Sequence, residues 1–122
     1  MDYRVRGVRG AITVASNTAA EILAGTRQLI EKMVAANDVE AEDIASIFFS
    51  VTPDLNAAFP AAAARSLGWK YVPLLDLNEA NISGDLSRCI RILMHINTRK
   101  TQAEIRHIYL GGAAVLRPDL AE

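Results

Sequence analysis

The run Cys89-Ile90-Arg91-Ile92-Leu93-Met94-His95-Ile96 restricts what this chain can fold into more than any other segment. Its β-branched and long apolar side chains read as a buried strand, yet a guanidinium stands among them. An unpaired cation in a low-dielectric strand costs several kcal/mol. Two arrangements relieve that cost. Either an internal carboxylate pairs with Arg91, or Arg91 is left open to an anion from solvent and so forms a binding site. A second arginine, Arg9, interrupts the apolar N-terminal run from Val5 to Val14 in the same way. Two such intrusions suggest a shared anionic ligand.

The 122 residues are enough for one domain, taken as 1–122, and too few for two. A hydrophobic content of 51% supports a single core without further aids. The formal net charge of -1 argues against nucleic acid, whose binders carry a strong basic excess. Cys89 is the lone cysteine, so no intrachain disulfide forms, and His95 and His107 do not compose a zinc set. No metal is expected. Met1-Asp2-Tyr3-Arg4 leads straight into strand-like sequence, and no apolar stretch approaches the ~20 residues that span a bilayer. The expected setting is cytoplasmic, away from membranes, and the expected role is small-molecule chemistry or ligand binding.

After the first strand, Thr18-Ala19-Ala20-Glu21 has the form of a capping box and should open a helix. Ile22, Thr26, Leu29, Ile30 and Met33 then recur at helical spacing until about Asn37, with Arg27, Gln28, Glu31 and Lys32 opposite. Ile44 to Val51 reads as a second strand. Pro60 suits the first turn of a short alanine-rich helix through Leu67, and Gly68 its left-handed close. Tyr71 to Leu77 reads as a third strand, placed at an edge or a strand start because Pro73 has no N–H to donate. A loop from Asn78 to Arg88 leads to strand four, Cys89 to Asn97, and Arg106 to Leu110 makes a fifth before the tail Leu116-Arg117-Pro118-Asp119-Leu120.

This order predicts an α+β domain: a mixed sheet of about five strands with two main helices on one face. The other face needs cover, most simply from a sister subunit. Alternation along strand four puts Ile90, Ile92, Met94 and Ile96 towards the helices and Cys89, Arg91, Leu93 and His95 on the far side. If Arg9, Arg91 and Tyr109 share that far side, they line a pocket near a subunit boundary.

Several strings, in order, carry a family likeness: Arg6-Gly7-Val8-Arg9-Gly10-Ala11, Thr52-Pro53-Asp54-Leu55, Phe59-Pro60-Ala61, Gly68-Trp69-Lys70-Tyr71-Val72-Pro73, Cys89-Ile90-Arg91-Ile92, Ile105-Arg106-His107-Ile108-Tyr109-Leu110 and Leu116-Arg117-Pro118-Asp119-Leu120. The chain resembles the monofunctional chorismate mutases of the small trimeric AroH type, nearly end to end. The resemblance implies a homotrimer shaped as a pseudo-α/β barrel, with active sites in the clefts between subunits. It implies the Claisen rearrangement of chorismate to prephenate, on the route to phenylalanine and tyrosine, without a cofactor.

That reaction breaks a C–O bond and forms a C–C bond through a folded, chair-like arrangement, with negative charge growing on the ether oxygen. It needs a selected conformer and fixed donors rather than a nucleophile or base. By resemblance Arg91 faces the ether oxygen, Arg9 holds a carboxylate, Tyr109 adds a hydrogen bond, and Glu79 accepts from the ring hydroxyl and positions Arg91. The backbone of Leu75, Asp76, Leu77, Asn78 and Glu79 lines the cleft. The neighbouring subunit supplies Phe59, Ala61 and Arg65, with Leu116 and Arg117 near the mouth.

Plainer readings exist for the same residues. Arg91 and Glu79 suit a buried ion pair, Tyr109 a core tyrosine, His95 and His107 structural roles, and Cys89 a small core hydrophobe. A YjgF-like trimeric module binding a small carboxylate is the alternative from another class, separated by the set Arg9, Glu79, Arg91 and Tyr109. Two departures from the family pattern stand out: Ala62, where several members have lysine, and Asp76, whose carboxylate repels a dianion unless it turns away.

Overall fold

The structure, a computed structural model, describes residues 2–117; the predicted tail segment Pro118-Asp119-Leu120 lies outside them. The strands are β1 (Arg4–Thr13), β2 (Ile44–Val51), β3 (Leu74–Asn78), β4 (Cys89–Thr98) and β5 (Ile108–Leu110), and the helices α1 (Ala19–Asn37) and α2 (Ala61–Ser66). They form one five-stranded sheet in the order β3-β2-β4-β1-β5. β4 runs antiparallel to both β1 and β2, whereas β5 joins β1, and β3 joins β2, in parallel. The sheet is mixed, as the element order predicts. Among the described residues no helix is long and apolar enough to cross a membrane.

Both helices pack on one face. Thr18 caps α1 by accepting from the Glu21 N–H at 3.2 Å, the threonine half of the predicted box. Ile22, Thr26, Leu29, Ile30 and Met33 are fully buried. The apolar members of that stripe meet Val8 and Ile12 of β1, Ile47 and Phe49 of β2, and Ile90, Ile92, Met94 and Ile96 of β4 in one continuous core. Gly10 marks the closest approach of helix to sheet, because a Cβ there would fall 2.5 Å from Met33 Sδ and 3.1 Å from a Leu29 methyl. Pro60 opens α2 at φ -56, and Gly68 closes it at φ +83, where a side chain would be strained.

Two strands are shorter than the sequence predicts. The third begins at Leu74 rather than Tyr71: Pro73 lacks an N–H, only its carbonyl joins the ladder, accepting from Ile47 N–H at 3.0 Å, and Tyr71 stands in solvent. It is an edge strand, as Pro73 suggests. The fifth begins at Ile108 rather than Arg106 because side chains take over the ladder bonds. Asn37, at the end of α1, accepts from Arg106 N–H at 2.8 Å and donates to Arg106 C=O at 2.9 Å. Next along, His107 Nδ1 accepts from Arg9 N–H at 2.9 Å.

Among the described residues no α-helix covers the opposite face, which carries only the short 3-10 helix Gly111–Leu116, whose Ala113 packs with Ala11, Cys89 and Tyr109. Val5, Leu75, Leu77 and Leu93 remain exposed there, the uncovered face that a two-helix chain leaves.

Asn37 is 2% exposed and ties α1 to the approach of β5. Replacing it with alanine orphans the backbone groups of Arg106 that it bonds, and the expected loss is about 1–3 kcal/mol in urea unfolding, with faster amide exchange at Arg106.

Candidate active site

Register assembles the site. Across all five strands, Leu77, Ser50, Arg91, Ala11 and Tyr109 form one row of directly opposed residues. Two residues along, Leu75, Phe48, Leu93 and Arg9 form the next row on the same face. Period-two alternation thus turns every one of these side chains away from the helices. Ala11 separates Arg91 from Tyr109 in this row and is buried with Cys89, Tyr109 and Ala113. Most of the two rows, together with Glu79 and Leu116, line a cavity of about 430 Å³, within the size range of small-molecule sites.

Arg91 is neither unpaired nor sealed in a dry core. Its side chain keeps 27% of its surface exposed, and two carboxylates hold it. Glu79 Oε1 lies 3.2 Å from Arg91 Nε and accepts from Ser50 Oγ–H at 2.6 Å. Glu79 is carried there because the parallel pairing continues past β3, with its N–H donating to Val51 C=O at 2.8 Å. Asp85 Oδ2 receives Arg91 Nη2 at 3.1 Å. The structure thus shows the first of the two relief arrangements, internal carboxylates, although the Nε–H is not aligned for a hydrogen bond to Glu79. Tyr109 Oη, in the same cavity, is buried and makes no hydrogen bond among the described residues, which leaves its O–H available to an acceptor in the cavity.

Arg9 projects from β1 into the cavity, and among the described residues it makes no ion pair. Its backbone is fixed by His107, which must carry its proton on Nε2 to accept at Nδ1. Burial holds the His107 imidazole below its usual pKa, and the cationic Arg9 and Arg117 push the same way. The neutral ring is thus the favoured form. Beneath Arg91, burial pushes the Cys89 thiol up, partly offset by the guanidinium, so this cysteine is an inert packing residue.

The predicted site residues divide into groups. Arg9, Leu77, Glu79, Arg91, Tyr109 and Leu116 share the cavity, two arginines against one glutamate. Leu75 lies on the same open face beside Phe48. Phe59, Asp76 and Asn78 line a separate cleft on the far side of β3, with Leu77 between the two. Ala61 is buried and Arg65 exposed on α2, while Arg117 follows the turn Gly111–Leu116. One chain therefore does not bring Phe59, Ala61 or Arg65 to Arg91.

Asp76 turns away from the arginines of the cavity. Its Oδ1 accepts from Ala61 N–H at 3.0 Å, so it caps the start of α2. Burial raises its pKa, against the pull of that bond and of Arg65. The sequence reading missed Ser50, which hydrogen-bonds Glu79, Ala11, which stands between Arg91 and Tyr109, and Asp85 on the loop. Alternation along β1 and β2 was the signal for the first two. Thr52-Pro53-Asp54, one of the recognisable strings, is structural. Thr52 N–H donates to Cys89 C=O and Asp54 accepts from Arg88 N–H at 2.9 Å, which closes the loop onto β4.

Comparison with known proteins agrees with this geometry. The family model of chorismate mutase type I matches residues 5–120. The chain is 48% identical over 118 residues to chorismate mutase AroH of Bacillus subtilis (strain 168), covering 96% of this chain and 93% of that one. It is 49% identical over 117 residues to chorismate mutase AroH of Thermus thermophilus, covering 95% and 96%. Among solved structures, a chorismate mutase from Clostridium thermocellum superposes with a TM-score of 0.89 at 50% identity, covering 90% of this chain and 98% of that one. A family match along almost the whole sequence and a shared fold lead to one conclusion: this chain belongs to the chorismate mutase type I family.

Proposed function

We propose that the chain is a chorismate mutase, an isomerase that rearranges chorismate to prephenate in the synthesis of phenylalanine and tyrosine, and that it works as one domain in a homotrimer. The observation that carries this reading is one cavity lined by Arg9, Glu79, Arg91 and Tyr109, in which among the described residues Arg9 makes no ion pair and the buried Tyr109 hydroxyl no hydrogen bond. The substrate is a dianion, and the reaction gains no atom, loses none and changes no overall oxidation state. What it requires is a compact conformer and donors placed where charge develops.

Each wall contributes to that scheme. Arg9 holds a carboxylate, and Arg91 faces the ether oxygen as its C–O bond opens. Tyr109 adds an O–H donor, and Glu79 accepts from the ring hydroxyl. Ser50 fixes Glu79 by its 2.6 Å hydrogen bond, so the acceptor needs no rearrangement during reaction. Phe48, Leu77 and Leu93 supply apolar surface that favours a folded substrate over an extended, hydrated one.

The trimer rests on the uncovered sheet face and on the separation of the site into halves. Phe59 is 69% exposed on a cleft beyond β3, so a neighbouring subunit is the natural carrier of Phe59, Ala61 and Arg65 to the Arg91 cavity. The backbone of Leu75, Asp76 and Asn78 then borders the joined cleft, and Leu116 and Arg117 flank its mouth. Asp76, bound to the start of α2, presents a satisfied carboxylate rather than a free one. We place the enzyme in the cytoplasm, a setting in keeping with a chain whose single cysteine, Cys89, is buried and has no second cysteine to pair with.

Purified protein should consume chorismate, followed as loss of its ultraviolet absorbance; no loss at high enzyme concentration would overturn the catalytic reading. Arg91→Ala should stay folded by circular dichroism and lose about 10²–10³-fold in kcat. Arg91→Lys should stay strongly impaired, because it keeps the charge and loses the planar fork. Sedimentation equilibrium should return three times the 13.2 kDa chain mass, and Arg65→Ala should raise KM more than it lowers kcat.

A further inference from the structure

Asp85 sits on the loop between β3 and β4, outside the substrate cavity. It lines a different cleft with Thr52, Pro53, Asp54 and the loop itself, yet its carboxylate reaches Arg91 Nη2 at 3.1 Å through Oδ2 and 3.3 Å through Oδ1. The contact therefore comes from a residue outside the cavity wall. Glu79 meets the same guanidinium at Nε, on the cavity side. With Glu79 in ion-pair contact at Nε and Asp85 hydrogen-bonded at Nη2, rotation of the planar group about its long stem is restrained, and the Asp85 bonds are the directional ones.

The position of Asp85 is itself fixed by backbone. Its Oδ1 accepts from Leu86 N–H at 2.8 Å, and its own N–H donates to Ile82 C=O at 3.2 Å. Gly84, at φ +84, supplies the turn that aims the carboxylate inward. Its side chain keeps only 26% of its surface exposed, although the loop around it is open.

We propose that Asp85 is a positioning residue, which sets the angle of the Arg91 guanidinium before substrate binds. The proposal rests on the mutase reading above. Fixing a donor in advance removes reorganisation from the chemical step, so the effect belongs in kcat. A carboxylate that merely competed with the substrate's anionic groups would act in the opposite sense, on KM.

The test uses the full-length protein and chorismate, with kcat and KM measured separately for wild type, Asp85→Ala and Asp85→Asn. Asp85→Ala should lower kcat on the order of tenfold with little change in KM or in the thermal midpoint. Asp85→Asn, which retains an oxygen acceptor for Nη2, should recover most of that loss. Should Asp85→Ala prove unstable, Asp85→Asn still decides, by an intermediate kcat at an unchanged KM. In the Arg91→Lys background, removing Asp85 should have almost no further effect on kcat, because its target is gone. Lower KM at unchanged kcat identifies Asp85 as a competing anion and overturns the proposal, as does wild-type behaviour in both variants. If wild type turns over chorismate and the variants match it, only the role of Asp85 fails; if wild type is inactive, the mutase reading fails with it.

Discussion

A single guanidinium, gripped by two carboxylates in the middle of a sheet, is the constraint around which this molecule is arranged. Arg91 occupies the central strand, with Glu79 at Nε and Asp85 at Nη2. A charge at that position is tolerable only because the sheet face is open enough for water and the partners are close. The same openness makes it useful. Glu79 comes from the end of the edge strand and Asp85 from the loop that follows, so the cation fixes where the chain must travel between β3 and β4. Asp54 secures the far end of that path by holding Arg88, whose φ of 48 places the backbone in the left-handed region just before β4.

The two faces of the sheet do different work. One is filled to contact, as the missing Cβ of Gly10 against Met33 illustrates, and it supplies the hydrophobic stabilisation. The other is lined by arginine, tyrosine, glutamate and small residues, and it is left without cover by α1 and α2. A three-residue strand at the edge would be weak support for Tyr109. Asn37 and His107 make up for its brevity by bonding backbone groups that a longer strand would have paired.

Arg91 is balanced by Glu79 and Asp85, so Arg9 is the cavity cation that makes no ion pair among the described residues, and Asp76 is committed to the amide of Ala61. The neutral imidazole of His107 supports Arg9 without adding a third charge. Under the proposed mechanism such a site would stabilise developing negative charge by donors already in place, the means open to an enzyme for a reaction with no nucleophile and no proton transfer.

Much of this was legible in the residue order. The apolar stripe of α1, the span of β2, the alternation of β4 and the edge position signalled by Pro73 follow from local periodicity and from the chemistry of proline, which act over a few residues and need no knowledge of the fold. The intrusion of Arg9 and Arg91 into apolar runs singled them out for the same reason, and the structure places both on the walls of one cavity. Tertiary structure alone decided what lies opposite what. Strand register placed Ser50, Arg91, Ala11 and Tyr109 in one row although they are far apart in the chain. It also turned Asp76 to α2, brought Asp85 to Arg91 and cut β3 and β5 short. Those outcomes depend on competition among distant hydrogen-bonding groups for the same partners, and no local pattern records who wins.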